Sequence, residues 1–255
     1  LLATAIGNTD PTGLDRSRER DRGHALAGKS TLNRLEMTPR DAGPDSRYKK
    51  IVAREEDVER FFVDEFLDAH KHETPRRLIL DIDPSDIELH GDQEGRFFHG
   101  YYGHYCYLPL YIFCGSDLLM ARLRTAGRDG SDGTVEALAW LVPLLRAQWP
   151  EVELVLRADS GFAREPIFAW CEENHVEYVI GLARNSRLES MISYELGIVR
   201  EEQARVGGAV RRFDELRYRP LDSWSRERRV VAKSEQLPGK SNPRFVVTSL
   251  SSIFC

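Results

Sequence analysis

Two stretches of the sequence decide the fold: RLILDID at residues 77–83 and VELVLRAD at residues 152–159. Each is a short apolar run that ends in an aspartate, a pattern typical of a buried strand. Alternate side chains of a strand share a face, so Asp81 and Asp83 project from the same side of the first strand. Ligand sites of open α/β sheets lie beyond the carboxyl ends of the strands. If the two strands are neighbours, Asp83 and Asp159 face each other there.

Strand and helix patterns alternate around these two stretches. Further strand-like runs cover residues 99–114, 117–124 and 176–183. Helical spacing of apolar residues covers residues 48–70, 132–149 and 165–174. This order predicts an α/β fold, in which a mixed sheet has helices on its faces. Short strand-like runs return beyond residue 196, at residues 228–235 and 244–250, and predict a β-rich insertion.

The composition argues against a membrane-spanning protein. Of the 255 residues, 41% are hydrophobic and 30% are charged, and no apolar run approaches the roughly 20 residues that a spanning helix needs. We therefore expect a cytoplasmic protein without a membrane partner. The chain begins at Leu1 and ends at Cys255, shortly after a strand-like run, and we expect it to be a piece of a longer protein.

The carboxylates at the strand ends have two interpretations. Two such groups held close together repel unless a cation compensates them, and oxygen-only ligands suit Mg²⁺ or Mn²⁺. A pair of these ions, about 3.5–4 Å apart, can promote in-line displacement at a phosphoryl group. However, the sequences Asp-Pro-Ser at 83–85 and Asp-Ser-Gly at 159–161 are also ordinary turns. From the residues alone, ordinary turns are the simpler interpretation.

Histidines and aromatic residues are concentrated between residues 90 and 113. The spacing of His90, His99 and His104 fits no zinc motif, which favours structural or hydrogen-bonding roles. Eight aromatic residues lie within 97–113, and they could form a stacking platform for unpaired bases. Aromatic residues are also favoured in half-buried strands, so we predict that this run forms core strands of the sheet.

Four segments together resemble bacterial insertion-sequence transposases of the DDE group. They are GKSTLNRLE at 28–36, the run from 80 to 114, LRADSGF at 156–162 and FVVTSL at 245–250. The resemblance implies a ribonuclease H-like catalytic core in which two Asp and one Glu hold two divalent metal ions, Mg²⁺ or Mn²⁺. It also implies double-stranded DNA, at the element ends and at the target, as the partner, and a homodimer as a further partnership. Such an enzyme would be nucleoid-associated.

The resemblance assigns the catalytic, metal-binding aspartates to DIDPS and RADSG. We assign the first to Asp83, with Asp81 as the alternative, and the second to Asp159. The third acid of the family lies on a helix with a Tyr, Arg and Glu signature, after the strand that FVVTSL resembles. The sequence ends at Cys255 without such a helix. We therefore predict that this chain has no measurable activity in DNA strand cleavage or joining.

The end of the chain is basic. Residues 190–255 hold 12 Lys and Arg against 8 Asp and Glu. A solvated surface explains such a balance, but in a DNA-processing family it favours phosphate contacts. We predict DNA binding by five arginines: Arg211, Arg212, Arg226, Arg228 and Arg229.

The predicted organisation has three parts. Residues 1–75 form a partial N-terminal loop and helical region, 76–195 form the catalytic core with the first two acids, and 196–255 form the β-rich insertion. The predicted function of the complete enzyme is metal-dependent cleavage and strand transfer of DNA at the ends of an insertion sequence. Two alternatives remain: a non-catalytic DNA-binding remnant, and a metal-dependent nuclease on the same fold.

Overall fold

The first aspartate-bearing strand, β1 (Arg77–Pro84), lies inside a nine-stranded sheet in the computed structural model, which describes residues 55–221 and 223–251. Two compact units divide the chain, residues 1–58 and 59–255. Apart from the first turn of the first helix, the described residues belong to the second unit. The segment at 28–36 and most of the predicted N-terminal region, residues 1–54, lie outside the described residues.

The elements up to the second aspartate follow the predicted alternation with one addition, a small separate sheet. They are α1 (Glu55–Ala69), β1, β2 (Ile87–Glu88), β3 (Phe97–His99), β4 (His104–Tyr107), β5 (Leu110–Cys114), β6 (Asp117–Arg122), α2 (Thr134–Gln148) and β7 (Glu153–Ala158).

A short 3₁₀ turn (Ser160–Phe162) follows the second aspartate. The remaining elements are α3 (Glu165–Glu173), β8 (Glu177–Leu182), α4 (Ser186–Met191), α5 (Ser193–Val206), β9 (Val210–Tyr218), β10 (Arg228–Leu237), β11 (Lys240–Ser241) and β12 (Arg244–Thr248). The α/β class with a mixed sheet and flanking helices is confirmed.

The strand order places the two aspartate-bearing strands side by side. The main sheet runs β11, β10, β12, β8, β7, β1, β5, β6, and β9 pairs with β10 at one side. β1 is parallel to β7 and antiparallel to β5, and β7 is parallel to β8. Because the parallel strands end at the same edge, the residues that follow β1 and β7 meet there.

The buried side of β1 explains why the strand occupies the centre. Leu78, Leu80 and Ile82 are buried in one hydrophobic cluster together with residues of α1, α2 and α3, such as Phe66 and Leu138. Burial of such a side chain stabilises the fold by about 1.5–3 kcal/mol. The period-two pattern of the sequence is thus satisfied, and it leaves the acidic residues of β1 on the opposite side.

The sheet continues across the boundary predicted at residue 195. β12 pairs antiparallel with β8, and β10 pairs with both β12 and β9, so the β-rich segment extends the same sheet. Helix α5 spans the predicted boundary and was not predicted, because Gly197 inside it disfavours a helix in the sequence. Gly207 ends this helix with a positive φ of 74°, a conformation that glycine adopts readily.

The prediction of one continuous strand at 99–114 is wrong. The run divides between two sheets, since β4 belongs to the small sheet β2-β4-β3 and β5 belongs to the main sheet. Leu108 and Pro109 lie between them, and proline cannot donate a ladder hydrogen bond. The prediction that the aromatic run forms core strands fails for the small sheet, where Phe97, Phe98 and Tyr105 are exposed.

Candidate active site

Asp83 and Asp159 come together at the carboxyl ends of β1 and β7. The parallel register pairs Ile82 with Ala158, so the next residue along each strand is one of the two aspartates. Both side chains reach solvent. Removal from water raises the pKa of Asp83, and the negative charge of Asp159 raises this pKa further. Both effects disfavour the ionised form of Asp83.

Asp81 lies on the same side of β1 but has a different environment. The Arg157 Nη2 atom donates a hydrogen bond of 2.7 Å to Asp81 Oδ2, and Arg157 Nε donates to the other carboxylate oxygen. Asp81 is therefore neutralised by a bidentate ion pair. Within residues 55–221 and 223–251, neither Asp83 nor Asp159 forms an ion pair with Lys or Arg. The negative charge of that pair has no compensating cation from this part of the chain.

The backbone after β7 fixes the orientation of Asp159. Its Oδ1 atom accepts a hydrogen bond of 2.8 Å from the N–H of Gly161 at the start of the 3₁₀ turn. This cap uses one of the two carboxylate oxygens. The turn that the sequence indicated at 159–161 is thus present, and it positions the aspartate.

Gly181 of β8 is a positioning residue that the sequence analysis missed. A Cβ atom at this position would lie 3.0 Å from the backbone nitrogen of Ser160 and 3.2 Å from the carbonyl carbon of Asp159. The absence of a side chain lets the backbone of the second aspartate approach β8. An isolated glycine inside a strand pattern is the sequence signal for such a close approach.

The loop before α2 connects the two acid-bearing strand ends. The Arg164 Nη2 atom donates a hydrogen bond of 2.9 Å to Asp129 Oδ2, and Arg164 follows Asp159 by five residues. On the other side, a Cβ atom at Gly130 would lie 3.3 Å from Pro84, the residue after Asp83. The loop therefore contacts the β1 end and is held to the start of α3.

The donors at this edge are carboxylate oxygens. In the part of the chain that the structure describes, no group of three or more His, Cys, Asp or Glu side chains could hold a metal ion. The two aspartates thus meet without a third acidic or histidine ligand from these residues. Oxygen donors and an uncompensated negative charge suit a hard divalent cation.

The predicted DNA-binding arginines have different environments. Arg211 and Arg212 lie exposed on β9, and Arg212 approaches Glu202 at 3.5 Å. Arg226 is exposed and pairs with Glu172 at 2.6 Å. Arg229 donates to both carboxylate oxygens of Glu215 and is largely covered. The structure does not gather these arginines into one cluster with the acid pair.

Arg228 requires a correction, because it is an interior residue that is 3% exposed. It donates to Glu165 at 2.7 Å and to Glu172 at 2.8 Å, and its guanidinium lies 4.8 Å from the ring centre of Phe168. These contacts tie β10 to α3. In this position the guanidinium is enclosed and does not present a phosphate-binding group at the surface.

The three histidines lie around the small sheet. His104 Nε2 lies 2.8 Å from Asp86 Oδ2, His90 is exposed, and His99 contacts the ring of Tyr102 with centroids 4.7 Å apart. Hydrogen bonding and packing thus describe their contacts.

None of the helices in the described ranges has the length and apolar character required to cross a bilayer.

Comparisons with known proteins point to one family. The sequence matches the family described as Transposase DDE domain group 1 over residues 8–254. No curated protein sequence matches this chain significantly. The fold is similar to the piggyBac transposase in a synaptic complex with hairpin DNA, with 15% identity, a TM-score of 0.40, and coverage of 77% of this chain and 39% of that chain.

A second similar structure is the Mos1 transposase in a paired-end complex with the left transposon end. It shares 14% identity with a TM-score of 0.30, and the match covers 66% of this chain and 57% of that chain. The match thus spans less than two thirds of the length of either transposase.

Proposed function

We propose that this chain, which belongs to the group 1 family of transposase DDE domains, acts in DNA transposition. The proposed reaction is metal-dependent cleavage of phosphodiester bonds at the ends of an insertion sequence, followed by strand transfer. It requires a third acid besides Asp83 and Asp159, so we still predict that this chain by itself has no measurable cleavage or joining activity. The observation that carries this proposal is the meeting of Asp83 and Asp159 at one edge of the sheet without a compensating cation among the described residues. By contrast, Glu165 and Glu172 share the buried guanidinium of Arg228.

The first acid of the site is Asp83 rather than Asp81. Both were candidates from the sequence, because both lie on the same side of β1. Asp81 already has its charge neutralised by Arg157, whereas Asp83 interacts with Asp159 and its pKa is raised. A metal ligand must be available as a free carboxylate, and Asp83 meets that requirement.

A divalent ion, Mg²⁺ or Mn²⁺, would be held by Asp83 and Asp159. Both supply hard oxygen donors, and a cation between them would relieve their mutual repulsion. When bound by these two residues, such an ion would supply charge neutralisation at a phosphoryl oxygen and activation of an attacking water or hydroxyl. The family leads us to expect two ions, but the described residues supply donors from only two acids.

The residues of this chain would bind and orient rather than react. The Gly161 N–H fixes one oxygen of Asp159, and Gly181 lets the Asp159 backbone lie close to β8. Fixed geometry of this kind lowers the barrier of a phosphoryl displacement because little reorganisation remains at the moment of reaction. No covalent intermediate with the protein is required.

Double-stranded DNA, at element ends and target, is the proposed partner. Arg211 and Arg212 are exposed on β9 and are the best placed of the predicted arginines to contact phosphates. A homodimer and an association with the nucleoid in the cytoplasm remain predictions of the family resemblance.

Calorimetric titration with Mn²⁺ tests the proposed site. We expect one binding event in the 255-residue chain, and its loss in Asp83→Asn and in Asp159→Asn. Asp81→Asn is the matched control, because it removes a carboxylate from the same side of β1, and it should retain the event. Unchanged binding in both of the first two variants would contradict the site.

DNA binding without cleavage is a second candidate function. Only two carboxylates meet in the described part of the chain, whereas the metal-dependent reaction expected for the family uses three acidic residues. This difference favours the second candidate. A plasmid that carries the DNA flanking the gene distinguishes the two functions. Nicking that requires Mn²⁺ and Asp159 would support the enzyme, whereas binding of the same DNA without nicking would support the second candidate.

A further inference from the structure

The small sheet β2-β4-β3 exposes a set of aromatic rings that the hydrophobic core does not use. Four rings are between two fifths and nine tenths exposed: Phe97 (51%), Phe98 (50%), Tyr101 (87%) and Tyr105 (43%). Soluble proteins rarely group large exposed apolar side chains unless the group contacts something. The small sheet begins at Ile87, three residues after β1 ends at Pro84, so the chain keeps it near the acid pair.

One side of the small sheet carries an ordered aromatic group, which we call the stacking face: Arg96, Phe98, Tyr105 and Tyr107. Phe98 is directly opposite Tyr105 in the register, and their ring centroids are 5.5 Å apart at an angle of 76°. The guanidinium of Arg96 lies 4.6 Å from the centre of the Tyr105 ring. Tyr107 donates to the carbonyl of Glu94. Strand pairing and these contacts hold the rings in place.

The opposite side of the small sheet is anchored to the rest of the domain. Cys106 is fully buried, and a Cβ atom at Gly127 would lie 3.1 Å from the Phe97 ring. His104 Nε2 lies 2.8 Å from the carboxylate of Asp86, which follows Asp83 by three residues. The stacking face is therefore a rigid surface attached to the end of β1.

The small sheet also lies within electrostatic range of the acid pair. Burial raises the pKa of Tyr102, and the negative charges of Asp86 and Asp83 contribute to this rise. Tyr102 in turn packs against His104, with ring centroids 6.0 Å apart. The backbone N–H of Ser85 donates to the carbonyl of Pro109 at 3.2 Å, which holds the end of β1 beside the end of β4. A strand of DNA whose phosphodiester reached Asp83 would therefore have bases in the neighbourhood of the small sheet.

We propose that the stacking face binds unpaired bases of the DNA strand that is presented to Asp83 and Asp159. This inference rests on the proposed function. Flat aromatic rings and a guanidinium plane suit the π-face of any base, and such stacking does not depend on sequence. The bases must be unpaired, because paired bases expose only their edges in the grooves.

The charge around the stacking face determines the kind of contact. Between residues 86 and 96 the chain has four acids, Asp86, Glu88, Asp92 and Glu94, against the single arginine Arg96. The side chain of Asp92 also pairs with Arg96 at 2.5 Å. Phosphate neutralisation is therefore a minor contribution here, and the binding comes from ring stacking. It should consequently depend little on salt concentration.

The test uses an oligothymidine of about 12 nucleotides, within the span that a stacking surface covers, with one central 2-aminopurine whose fluorescence decreases when the base stacks on a ring. Binding is measured by fluorescence with EDTA present, so the acid pair and its metal do not contribute. Replacement of a base-stacking ring by alanine typically weakens binding by about 5- to 150-fold. We expect a loss in this range, together with reduced quenching, for Phe98→Ala and for Tyr105→Ala.

Two kinds of control variant separate stacking from other effects. Phe98→Tyr and Tyr105→Phe keep a ring and should retain binding within about twofold, the range expected where stacking dominates. Phe213→Ala removes a ring that is 52% exposed on β9, away from the stacking face, and should leave binding unchanged. The slope of binding against salt should stay the same in all of these variants, because each of them keeps every phosphate-binding group.

Several results would overturn the inference. Equal binding by wild type, Phe98→Ala and Tyr105→Ala would do so, as would an equal loss in Phe213→Ala. A change of sedimentation coefficient in the alanine variants with unchanged oligonucleotide binding would show instead that the face contacts a second copy of the chain. Mn²⁺ titration of the same proteins distinguishes failure of this inference from failure of the proposed function. A wild-type chain that binds no Mn²⁺ contradicts the proposed function, whereas a chain that binds Mn²⁺ without stacking contradicts only this inference.

Discussion

Two pairs of carboxylates in this molecule have opposite electrostatics. Glu165 and Glu172 of α3 enclose the guanidinium of Arg228, while Asp83 and Asp159 meet with no cation from the described residues between them. Burial alone would raise the pKa of Glu172, but the hydrogen bonds from Arg228, Arg226 and Tyr178 lower it to about 2. The pKa of Asp83 is raised.

The contrast separates a structural pair of acids from a pair whose charge the described residues leave uncompensated. A cation supplied by the chain is present in every folded molecule, so the Glu165, Glu172 and Arg228 network acts permanently as a link between α3 and β10. The aspartate pair keeps its repulsion, which a ligand can relieve on binding. Acid pairs without an internal cation are therefore the better candidates for a metal site.

The largest expected effect comes from removing the internal cation. Arg228→Met leaves two partly buried glutamates facing each other, and it should lower the free energy of unfolding by about 3 kcal/mol. Urea denaturation measures the change. Arg226→Met is the matched control, since Arg226 is exposed and pairs with the same Glu172, and it should cost less than about 1 kcal/mol. Equal costs would remove the distinction between the two pairs.

A rescue experiment sharpens the same comparison. If the cost of Arg228→Met comes from unpaired charge, adding Glu165→Gln and Glu172→Gln should recover part of the lost stability. No recovery would assign the cost to the loss of packing against Phe168 and Trp224 instead.

Gly181→Ala tests whether the aspartate pair depends on its spacing. The added Cβ would press on the backbone of Asp159 and Ser160, which should cost about 1–3 kcal/mol of stability. Displacement of Asp159 should also weaken Mn²⁺ binding by about tenfold or more. The control is Gly197→Ala in α5, where nothing lies within 4 Å, and this change should stabilise by about 0.5–1 kcal/mol. Denaturation and calorimetry check both variants.

The arginines extend the comparison from acids to cations. The double variant Arg211→Gln and Arg212→Gln should weaken DNA binding, and it should reduce the slope of log K against log salt by about 0.9 for each phosphate that the variant no longer neutralises. Arg76→Gln is the control, because Arg76 is 90% exposed at the amino end of β1. Gel-shift titrations at several salt concentrations give the slopes. Identical slopes in wild type and the double variant would argue against phosphate contacts on β9.

The smallest expected effect concerns the repulsion itself. In EDTA at neutral pH, Asp83→Asn should raise the free energy of unfolding by at most about 0.5 kcal/mol, because the folded state penalises ionised Asp83 but solvent screens the charge of this exposed side chain. A raised folded-state pKa means that this penalty disappears as the pH falls below the ordinary value of 3.8, where Asp83 is protonated in both states. Asp81→Asn should instead lose up to about 1 kcal/mol with its Arg157 partner. Thermal unfolding at pH 7 and at about pH 3, which is below the ordinary aspartate pKa, measures the stability change of both variants. A stability gain from Asp83→Asn that persists at the lower pH would contradict this account.

The local patterns of the sequence predicted some elements well. The alternation in RLILDID and VELVLRAD indicated both acid-bearing strands, because burial of one side of a strand needs an apolar residue at every second position. The helix prediction at 132–149 agrees with α2, whose apolar residues recur at helical spacing. α5 was missed, since the contacts of its buried residue Val199 outweigh the unfavourable Gly197.

The exposure of individual side chains could not be predicted in the same way. The aromatic run at 97–113 fits core strands by composition, yet the structure divides it between two sheets and leaves four of its eight rings exposed. Arg228 and Arg211 look alike in the sequence, but only the packing of β10 against α3 encloses Arg228. Long-range contacts decide burial, and they leave no local pattern.

The sequence by itself determined the α/β class, the two aspartates at strand ends and the family, because these depend on periodicity and on short motifs. Only the tertiary structure decided that β1 and β7 are neighbours, that Arg157 neutralises Asp81 but not Asp83, and that Gly181 makes room for Asp159. The physical reason is that charge and close packing act between atoms that are adjacent in space. Asp81 and Arg157 are 76 positions apart in the chain, and they become adjacent only when the sheet forms.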